Sequence, residues 1–461
     1  MKNQKSIFNH KQPEALIVYN FLLAIVIGSF LLKLPIASTK NALSWLDSFF
    51  MSTSAVCVTG LSVTDIGKDL TLFGQMVILF LIQIGGLGVM IFSLLFLILI
   101  GKKIALLSNL SIPHLSQDIS FKNIKYSIFM IFIMTFFIES AGAILLFCNL
   151  KNYHPFIFAV YSSIFHSVSA FCNAGFSLYA DNFIGFNNNP YVMLILMFLI
   201  VLGGLGFIVI YEAVRIILFK RSISKKISIS LHTKIALTGS LFFIVFGAVI
   251  IWLLESQGIL RSMPLSYKIL NSFFLSITSR TAGFNSVNTS LLSNPTLILL
   301  LFLMFVGGCP GSTAGGIKIH TFFSVIALMR NKLRGLTMTS LFNRKIPDAV
   351  VGRALTIFLA AIFIIFIAVF LLQLTENVTI PHLEVNQKEA FLDTLFEVIS
   401  AFGTVGLSTG TTLYLSSWGK GIIILLMFVG RIGLLTLGIA LQMRQKRKLI
   451  YEFPVEEIIV S

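Results

Sequence analysis

Long apolar runs are the feature that most limits what this 461-residue chain can fold into. A run of roughly 20 residues is long enough to cross the hydrocarbon core of a bilayer, which is about 30 Å thick. Eight such runs lie near residues 15–36, 73–101, 126–149, 190–219, 233–256, 294–307 with a continuation past 317, 351–374 and 420–443. Hydrophobic residues make up 56% of the chain and charged residues 11%, against about 25% charged residues in soluble domains. The sequence therefore predicts an all-α membrane protein with eight transmembrane helices.

The formal net charge of +16 indicates membrane topology rather than nucleic-acid binding, because the basic residues are unevenly placed. Most of the 34 lysine and arginine residues precede the first run or follow an even-numbered run. By the positive-inside rule those segments are cytoplasmic, and so are both termini. The expected partner of the basic loops is anionic membrane lipid, and no nucleic-acid partner is expected. We predict a multi-pass protein of the cytoplasmic membrane.

Four short segments recur between an odd-numbered run and the next even-numbered run, near 43–57, 157–172, 266–280 and 388–402. Each is too short to cross a bilayer and leads to a glycine: Gly60, Gly175, Gly283 and Gly406. A phenylalanine lies ten residues before each glycine (Phe50, Phe165, Phe273, Phe396), and a second glycine lies 24 to 28 residues after it (Gly85, Gly203, Gly307, Gly430). Such a register predicts an internal repeat of outer span, half-helix, glycine strand and inner span. The four predicted repeats are residues 1–104, 105–222, 223–340 and 341–461.

The glycine strands predict a cation selectivity filter. Irregular backbone at membrane depth is stable only where it lines a water-filled path or is buried in protein. Four half-helices around one axis would point their negative ends to the centre, and the strands after them would offer carbonyl oxygens. Glycine adopts a positive φ and places no side chain in the path of an ion. The predicted filter residues are Val58, Thr59, Gly60, Leu61, Asn173, Ala174, Gly175, Phe176, Thr281, Ala282, Gly283, Phe284, Thr404, Val405, Gly406 and Leu407. The alternative is that these glycines are ordinary loop residues.

The stretch VGGCPGSTAGGIK, residues 306–318, interrupts the sixth run with small and polar residues. Gly311 and Gly316 have the spacing of a phosphate-binding loop, but Ile317 stands where that motif requires lysine, so the motif is excluded. For Lys318 two interpretations stay open: a charge near the ion path, or a side chain that extends to the membrane surface. Arg431 lies within the last apolar run, where a charge costs about 2.5 to 3.5 kcal/mol. It should therefore face a partner or a hydrated cavity.

Other charged residues near the apolar runs have simpler interpretations. Glu139, Glu255 and Arg280 are interpreted as structural or interfacial residues. Asp47 and Asp393 each lie 13 residues before a filter glycine. We expect both to lie at the start of a half-helix, where an anion is stabilised by the helix dipole.

With these motifs the whole chain resembles the membrane subunit of the Trk/Ktr/HKT cation transporters. It is most like the bacterial Ktr type, because the first repeat begins near residue 15 without an additional helix pair before it. The resemblance implies four repeats around one pore, K⁺ uptake through the filter, and an intramembrane gate beneath it. The implied gate residues are Gly308, Cys309, Pro310, Gly311, Ser312, Thr313, Ala314, Gly315, Gly316, Lys318 and Arg431.

The resemblance also implies a homodimer that sits on a cytosolic ring of regulatory subunits binding ATP or ADP. It implies K⁺ as the transported ion bound at the filter carbonyls, Na⁺ as a candidate coupling ion, no covalently bound cofactor and no enzymatic activity. Two alternatives stay open: an ion-coupled transporter of another solute, since broken helices also build such sites, and a less selective Na⁺/K⁺ transporter. A membrane enzyme is disfavoured because the seven histidines are scattered.

Overall fold

The computed structural model describes residues 13–39, 42–107, 124–219, 229–376 and 387–434. Within these ranges the chain is helical except for connecting loops and one short antiparallel hairpin. The helices are α1 (Pro13–Lys33), α2 (Trp45–Val56), α3 (Ile66–Asp69), α4 (Leu72–Leu107), α5 (Ile124–Leu150), α6 (Phe156–Phe171), α7 (Pro190–Leu205), α8 (Phe207–Phe219), α9 (Leu231–Glu255), α10 (Leu265–Thr278), α11 (Asn294–Phe305), α12 (Ile319–Leu333), α13 (Asp348–Glu376), α14 (Gln387–Gly403) and α15 (Ser417–Ile432). The hairpin pairs β1 (Ser340–Leu341) with β2 (Arg344–Lys345). Both termini and parts of the predicted cytoplasmic loops lie outside the described residues.

Each of the eight apolar runs contains helix, in agreement with the predicted all-α class. Four helices of the described chain are individually long and apolar enough to cross a membrane: Leu72–Ile91, Tyr126–Leu150, Leu231–Glu255 and Asp348–Glu376. The pair α7 and α8 adds a fifth if it is counted as one bent span. Large apolar side chains project from these helices into the surroundings, as expected of a lipid-facing surface; Phe136 and Phe366 are 71% and 68% exposed. The eight-span arrangement stays a prediction.

The fourth run, expected as one span over 190–219, is broken. α7 and α8 meet at an angle of 99° around Gly206. Gly206 has a φ of +83°, a conformation that L residues rarely adopt. The amide of Phe207 donates to the carbonyl of Gly311 at 3.1 Å. The break therefore brings α8 into contact with the 306–318 loop.

All four short segments before the glycines are helices, namely α2, α6, α10 and α14, and we call them the half-helices. Each ends three to five residues before its glycine. Ser44 caps α2 by accepting from the amide of Asp47 at 3.0 Å, and Asp47 lies in the first turn, as expected. Asp393 does not lie at a helix start, because α14 begins six residues earlier at Gln387.

The phenylalanine register needs one correction, in the third half-helix. Phe50, Phe165 and Phe396 are fully buried, but Phe273 is only partly buried and its neighbour Phe274 is the fully buried residue. The aligned half-helix sequences DSFFMSTS, SSIFHSVS, NSFFLSIT and DTLFEVIS agree with this. The third repeat therefore has one residue fewer between its buried phenylalanine and its glycine.

Three half-helices are attached to their outer helices by the same contact. A serine hydroxyl donates to a carbonyl of the outer helix, and a glycine of that helix faces the serine so that the helices approach closely. The serine, carbonyl and glycine are Ser52, Ile25 and Gly28 (2.7 Å), Ser167, Glu139 and Gly142 (2.6 Å), and Ser276, Ile244 and Gly247 (2.8 Å). In α14 the corresponding residue is Val398. These contacts fix the position of three half-helices relative to their outer helices.

The remaining charged residues of the sequence analysis have local partners. Glu255, the last residue of α9, accepts from the amide and hydroxyl of Ser293 at 3.0 and 2.7 Å and so holds the start of α11. Glu139 accepts from the side-chain amide of Gln83 on α4 at 3.0 Å. Arg280 donates to the carbonyl of Ser240 at 3.3 Å. These contacts agree with structural roles.

Candidate functional site

The structure brings the four repeat glycines together in a closed ring, which we call the glycine ring (Gly60, Gly175, Gly283 and Gly406). A Cβ atom placed on Gly60 would lie 3.3 Å from the Cα atom of Gly175. The same distance is 3.0 Å from Gly175 to Gly283, 3.1 Å from Gly283 to Gly406 and 3.0 Å from Gly406 back to Gly60. The ring therefore follows the order of the chain. An ion pair of 2.7 Å between Lys420 and Asp47 also joins the last repeat to the first.

The backbone around the ring repeats an unusual conformation four times. The ring glycines have φ between +70° and +94°. The residue two positions earlier also has a positive φ in every copy, although it is not glycine: Val58 (+54°), Asn173 (+58°), Thr281 (+77°) and Thr404 (+48°). Such values are uncommon for β-branched residues and persist where the surroundings enforce them. These four positive φ angles were not predicted from the sequence.

The amide groups of these segments point back toward the half-helices. The amides of Val58 and Thr59 donate to the carbonyls of Ala55 and Ser54 at 3.1 and 2.8 Å. Equivalent bonds run from Ala174 to Ser169 (2.7 Å), from Ala282 to Thr278 (2.9 Å) and from Val405 to Ser400 (2.9 Å). The predicted filter residues other than glycine are all buried. Because these N–H groups are already bonded on the half-helix side, the carbonyl groups of the residues before the ring glycines are the polar groups left to face away from it.

Four hydroxyl residues of the half-helices hold these segments, and the sequence analysis missed them. Ser54, Ser169 and Thr278 donate to the carbonyls of Leu61, Phe176 and Phe284 at 2.7 to 2.8 Å. Ser54 and Ser400 also accept from the amides of their ring glycines at 3.1 and 3.2 Å. In three repeats the sequence has a hydroxyl residue six positions before the glycine, and this pattern could have predicted them. In the third repeat the hydroxyl residue is Thr278, only five positions before Gly283, so the pattern does not hold in all four copies.

The second glycine of each repeat allows the inner helix to pack on the end of a half-helix. A Cβ on Gly85, Gly203 or Gly430 would collide with the carbonyl of Val56, Phe171 or Phe402 respectively. Each of these carbonyls lies four residues before a ring glycine. Gly307 in the third repeat differs, because it faces the carbonyl of Gly315 instead. The 306–318 loop therefore breaks the fourfold pattern.

The 306–318 loop is bound to residues of other repeats. The amides of Cys309 and Thr313 donate to the carbonyls of Gly204 and Gly203 at 3.0 and 3.2 Å. The Thr313 hydroxyl donates to the carbonyl of Phe171, the last residue of α6, at 3.1 Å. At its other end, Gly315 faces the side chain of Thr404, two residues before a ring glycine. The loop thus reaches from the second repeat to the fourth, and the predicted gate residues from Gly308 to Gly316 are buried except Pro310 and Gly316, which are partly buried.

Arg431 and Lys318 both bind carbonyl groups at this loop. The guanidinium of Arg431, which is 5% exposed, donates to the carbonyls of Thr313 and Gly85, the latter at 3.0 Å. It thereby connects the loop to α4 of the first repeat. Lys318 donates to the carbonyl of Ala314 at 2.5 Å within the loop. In the described part of the chain neither cation forms a salt bridge within 4 Å, so carbonyl dipoles offset their charge.

A cavity of about 450 Å³ opens beside the ring and includes all four ring glycines in its lining. Both polar and apolar residues that follow the glycines line the rest, and its carboxylates are Asp65 and Asp181. Asp65 also caps α3 by accepting from the amide of Gly67 at 3.0 Å. A hydrated cation entering this cavity would meet negative charge before it met the ring.

Comparisons with known proteins identify the family of the chain. Residues 2–448 match the family model described as TrkH, cation transport protein. The chain is 38% identical to the Ktr system potassium uptake protein B of Bacillus subtilis, covering 92% of each chain. It is 36% identical to the potassium/sodium uptake protein NtpJ of Enterococcus hirae, covering 99% of each.

A solved structure gives the same fold. The crystal structure of the potassium transporter TrkH from Vibrio parahaemolyticus matches 95% of this chain and 86% of its own, with a TM-score of 0.74 at 20% identity. The predicted resemblance to the Trk/Ktr group is confirmed by the family model and by the relatives. This chain belongs to the TrkH family of cation transport proteins.

Proposed function

We propose that this protein takes up K⁺ across the cytoplasmic membrane through a filter of backbone carbonyls around the glycine ring. One observation carries the proposal: four buried segments with repeated positive φ angles turn their amides toward the half-helices and surround a common centre. An ion at that centre would meet oxygen atoms from four sides, and K⁺ accepts such oxygens in place of its hydration shell. Relatives that are named potassium uptake proteins support the choice of ion.

The proposed architecture is eight spans in four repeats, 1–104, 105–222, 223–340 and 341–461, with both termini in the cytoplasm. The helix order supports it, since outer helix, half-helix, glycine and inner helix follow one another four times. The proposed cytoplasmic side is the side of the basic segments, and the cavity with Asp65 and Asp181 then faces outward.

The proposed gate is the 308–316 segment together with Lys318 and Arg431. Support comes from the contacts of this segment beneath the second and fourth repeats and from the bond between Arg431 and Thr313. Backbone in this position obstructs an ion that leaves the ring toward the inner helices. Opening requires that the Arg431 bond be broken or carried along with the loop.

We further propose that the protein works as a homodimer on a cytosolic ring of subunits that bind ATP or ADP. The support is the family resemblance and the basic character of the predicted cytoplasmic segments, which suits contact with lipid headgroups and with a cytosolic partner. Na⁺ coupling stays an expectation from the resemblance, and the relative named a potassium/sodium uptake protein supports the less selective Na⁺/K⁺ transporter as the alternative.

Flux into liposomes tests the proposed function. Purified protein should take up K⁺ and Rb⁺ far faster than Na⁺, and protein-free liposomes set the background. Equal K⁺ and Na⁺ flux would support the less selective Na⁺/K⁺ transporter instead. Uptake of an organic solute that competes with Rb⁺ would support the solute transporter.

Replacing Gly283 with serine should lower the K⁺/Na⁺ uptake ratio about tenfold, equal to about 1.4 kcal/mol of discrimination. Gly283 has a φ of +75°, and a Cβ there would meet the backbone of Val405 and Gly406. The added atom disturbs one quarter of the proposed carbonyl cage. The ratio of initial Rb⁺ and Na⁺ uptake rates measures the effect.

Gly335→Ser is the matched control for this change. Gly335 also has a positive φ, +69°, but no atom lies within 4 Å of a Cβ placed there. The control has the same backbone strain without contact to the ring, so its uptake ratio should equal that of the wild type. A folded Gly283→Ser protein with unchanged selectivity would contradict the filter.

A further inference from the structure

One half-helix position faces the backbone just beyond the ring and differs chemically among the repeats. It lies nine residues before the ring glycine in three repeats and eight in the shortened third repeat. The residues are Met51, His166, Leu275 and Glu397, and all are buried. Opposite this position in three repeats is a serine two residues after the ring glycine: Ser62, Ser177 and Ser408, which we call the rim serines.

Each rim serine shapes the strand that leaves the ring. Its hydroxyl oxygen accepts from the amide two residues further on: Thr64 at 3.3 Å, Tyr179 at 3.0 Å and Gly410 at 2.9 Å. The rim serine therefore fixes a turn directly after the ring. The hydrogen bonds that the half-helix residue forms with that serine determine how strongly the turn is stabilised.

In the fourth repeat the half-helix residue is Glu397, which binds the rim serine through its carboxyl group. Its side chain is 1% exposed, and both of its carboxyl oxygens accept hydroxyl groups, one from Ser408 and the other from Thr412 at 2.7 Å. Thr412 and Ser408 are also 3.0 Å apart. A buried carboxyl group thus ties the half-helix to two points of the outgoing strand.

His166 does the same in the second repeat with an imidazole. Its Nε2 accepts from the amide of Leu178 at 3.2 Å and lies 3.1 Å from the hydroxyl of Ser177. Since Nε2 is an acceptor, the ring proton lies on Nδ1, which donates to the carbonyl of Ser162 at 2.8 Å. His166 is fully buried, so no solvent molecule competes for these bonds.

The other two repeats are held weakly at this position. Met51 offers only its thioether to Ser62, at 3.5 Å. Leu275 offers no polar atom, and the residue two after Gly283 is Asn285 rather than serine. Because the ring runs in chain order, the second and fourth repeats lie opposite each other. From this half-helix position the rim is therefore held by hydrogen bonds to oxygen and nitrogen atoms on one diagonal, and by a thioether contact or no polar contact on the other.

We infer that Glu397 and His166 are specificity-determining positioning residues, which keep the rim on one diagonal too wide for Na⁺ to be coordinated well. This inference rests on the proposed function. Na⁺ is smaller than K⁺, so a cage that can contract accommodates Na⁺, whereas a cage of fixed width favours K⁺. Neither side chain touches the ion; both act through the outgoing strand.

The test compares Glu397→Gln, Ser408→Ala and their combination. Glutamine keeps the size of the side chain but has one acceptor oxygen instead of two, so one hydroxyl loses its partner. Each single change should lower the K⁺/Na⁺ uptake ratio about tenfold, which corresponds to about 1.4 kcal/mol, while K⁺ uptake continues. The double variant should be no less selective than either single variant, because both remove the same contact.

Leu275→Met is the matched control, since it changes the same half-helix position in the third repeat without removing a hydrogen bond. Its uptake ratio should not change. Amide hydrogen exchange provides a second measurement: residues 407–412 should exchange faster in Glu397→Gln and Ser408→Ala than in the wild type or the control. Since Ser408 is only partly buried, its variant remains informative if Glu397→Gln does not fold.

The outcomes separate this inference from the proposed function. A wild-type protein that moves no monovalent cation would overturn the proposed function, and this inference with it. An active wild type whose selectivity is unchanged in both variants would overturn the inference alone. Strictly additive losses in the double variant would also overturn it, because Glu397 and Ser408 would then act separately.

Discussion

Replacing Arg431 with alanine should raise K⁺ flux by up to about a hundredfold. Uncompensated repulsion between K⁺ and a guanidinium about 6 Å away is roughly 3 kcal/mol at an effective dielectric constant of 20, which corresponds to that factor, and the carbonyl groups bound to Arg431 reduce it. The substitution also removes the bonds from Arg431 to the carbonyls of Thr313 and Gly85. Both effects act in the same direction, because the charge barrier disappears and the loop loses its connection to α4.

Lysine and glutamine at position 431 separate charge from hydrogen-bond geometry. If the charge forms the barrier, Arg431→Lys should keep most of it and Arg431→Gln should behave like the alanine variant. A glutamine variant that matches the wild type while the lysine variant does not would contradict the charge barrier. Arg261→Gln, at an exposed arginine between α9 and α10, controls for the loss of one positive charge. Initial rates of Rb⁺ uptake into liposomes provide the measurement.

Shortening the 308–316 segment should speed K⁺ flux by roughly tenfold or more, a decrease of at least about 1.4 kcal/mol in the barrier. This segment contacts Phe171 and Thr404, and in the proposed gate its removal would open the path below the ring. Flux should also depend less on the nucleotide-binding subunits, since the element that they are proposed to control is missing. The measurement is Rb⁺ uptake with and without those subunits.

A milder variant distinguishes opening of the gate from loss of structure in the shortened protein. Thr313→Ala removes only the bond to the carbonyl of Phe171 and should raise flux to a smaller extent in the same direction. Flux that disappears while the purified protein stays monodisperse would mark the segment as structural rather than as a gate.

The sequence was most informative where one physical requirement recurred. Apolar length predicted the long helices, and the repeated glycines predicted where backbone would have to adopt positive φ. The half-helices were found because each precedes such a glycine. The shift at Phe273 was missed because residue counting from the glycine assumes equal spacing, whereas burial of Phe274 shows one residue fewer.

Features that depend on neighbours distant in sequence could not be predicted. The positive φ at Val58 and Thr404 has no signature, because β-branched residues disfavour it and only the surrounding packing imposes it. The partners of Arg431 are carbonyl groups, which every residue has, so its contacts with Thr313 and Gly85 required the fold. The sequence contains Met51, His166 and Glu397, but only the fold shows that all three occupy the same position opposite a rim serine.

The order of translation determines when the ring can close. Gly60 can meet Gly406 only after the 345 intervening residues have been made, which takes roughly 20 to 70 s of translation. During that interval the first three strands have polar backbone exposed on an open side, inside the membrane. Insertion of the last half-helix and its glycine strand is therefore the step that closes the ring and satisfies this exposed backbone.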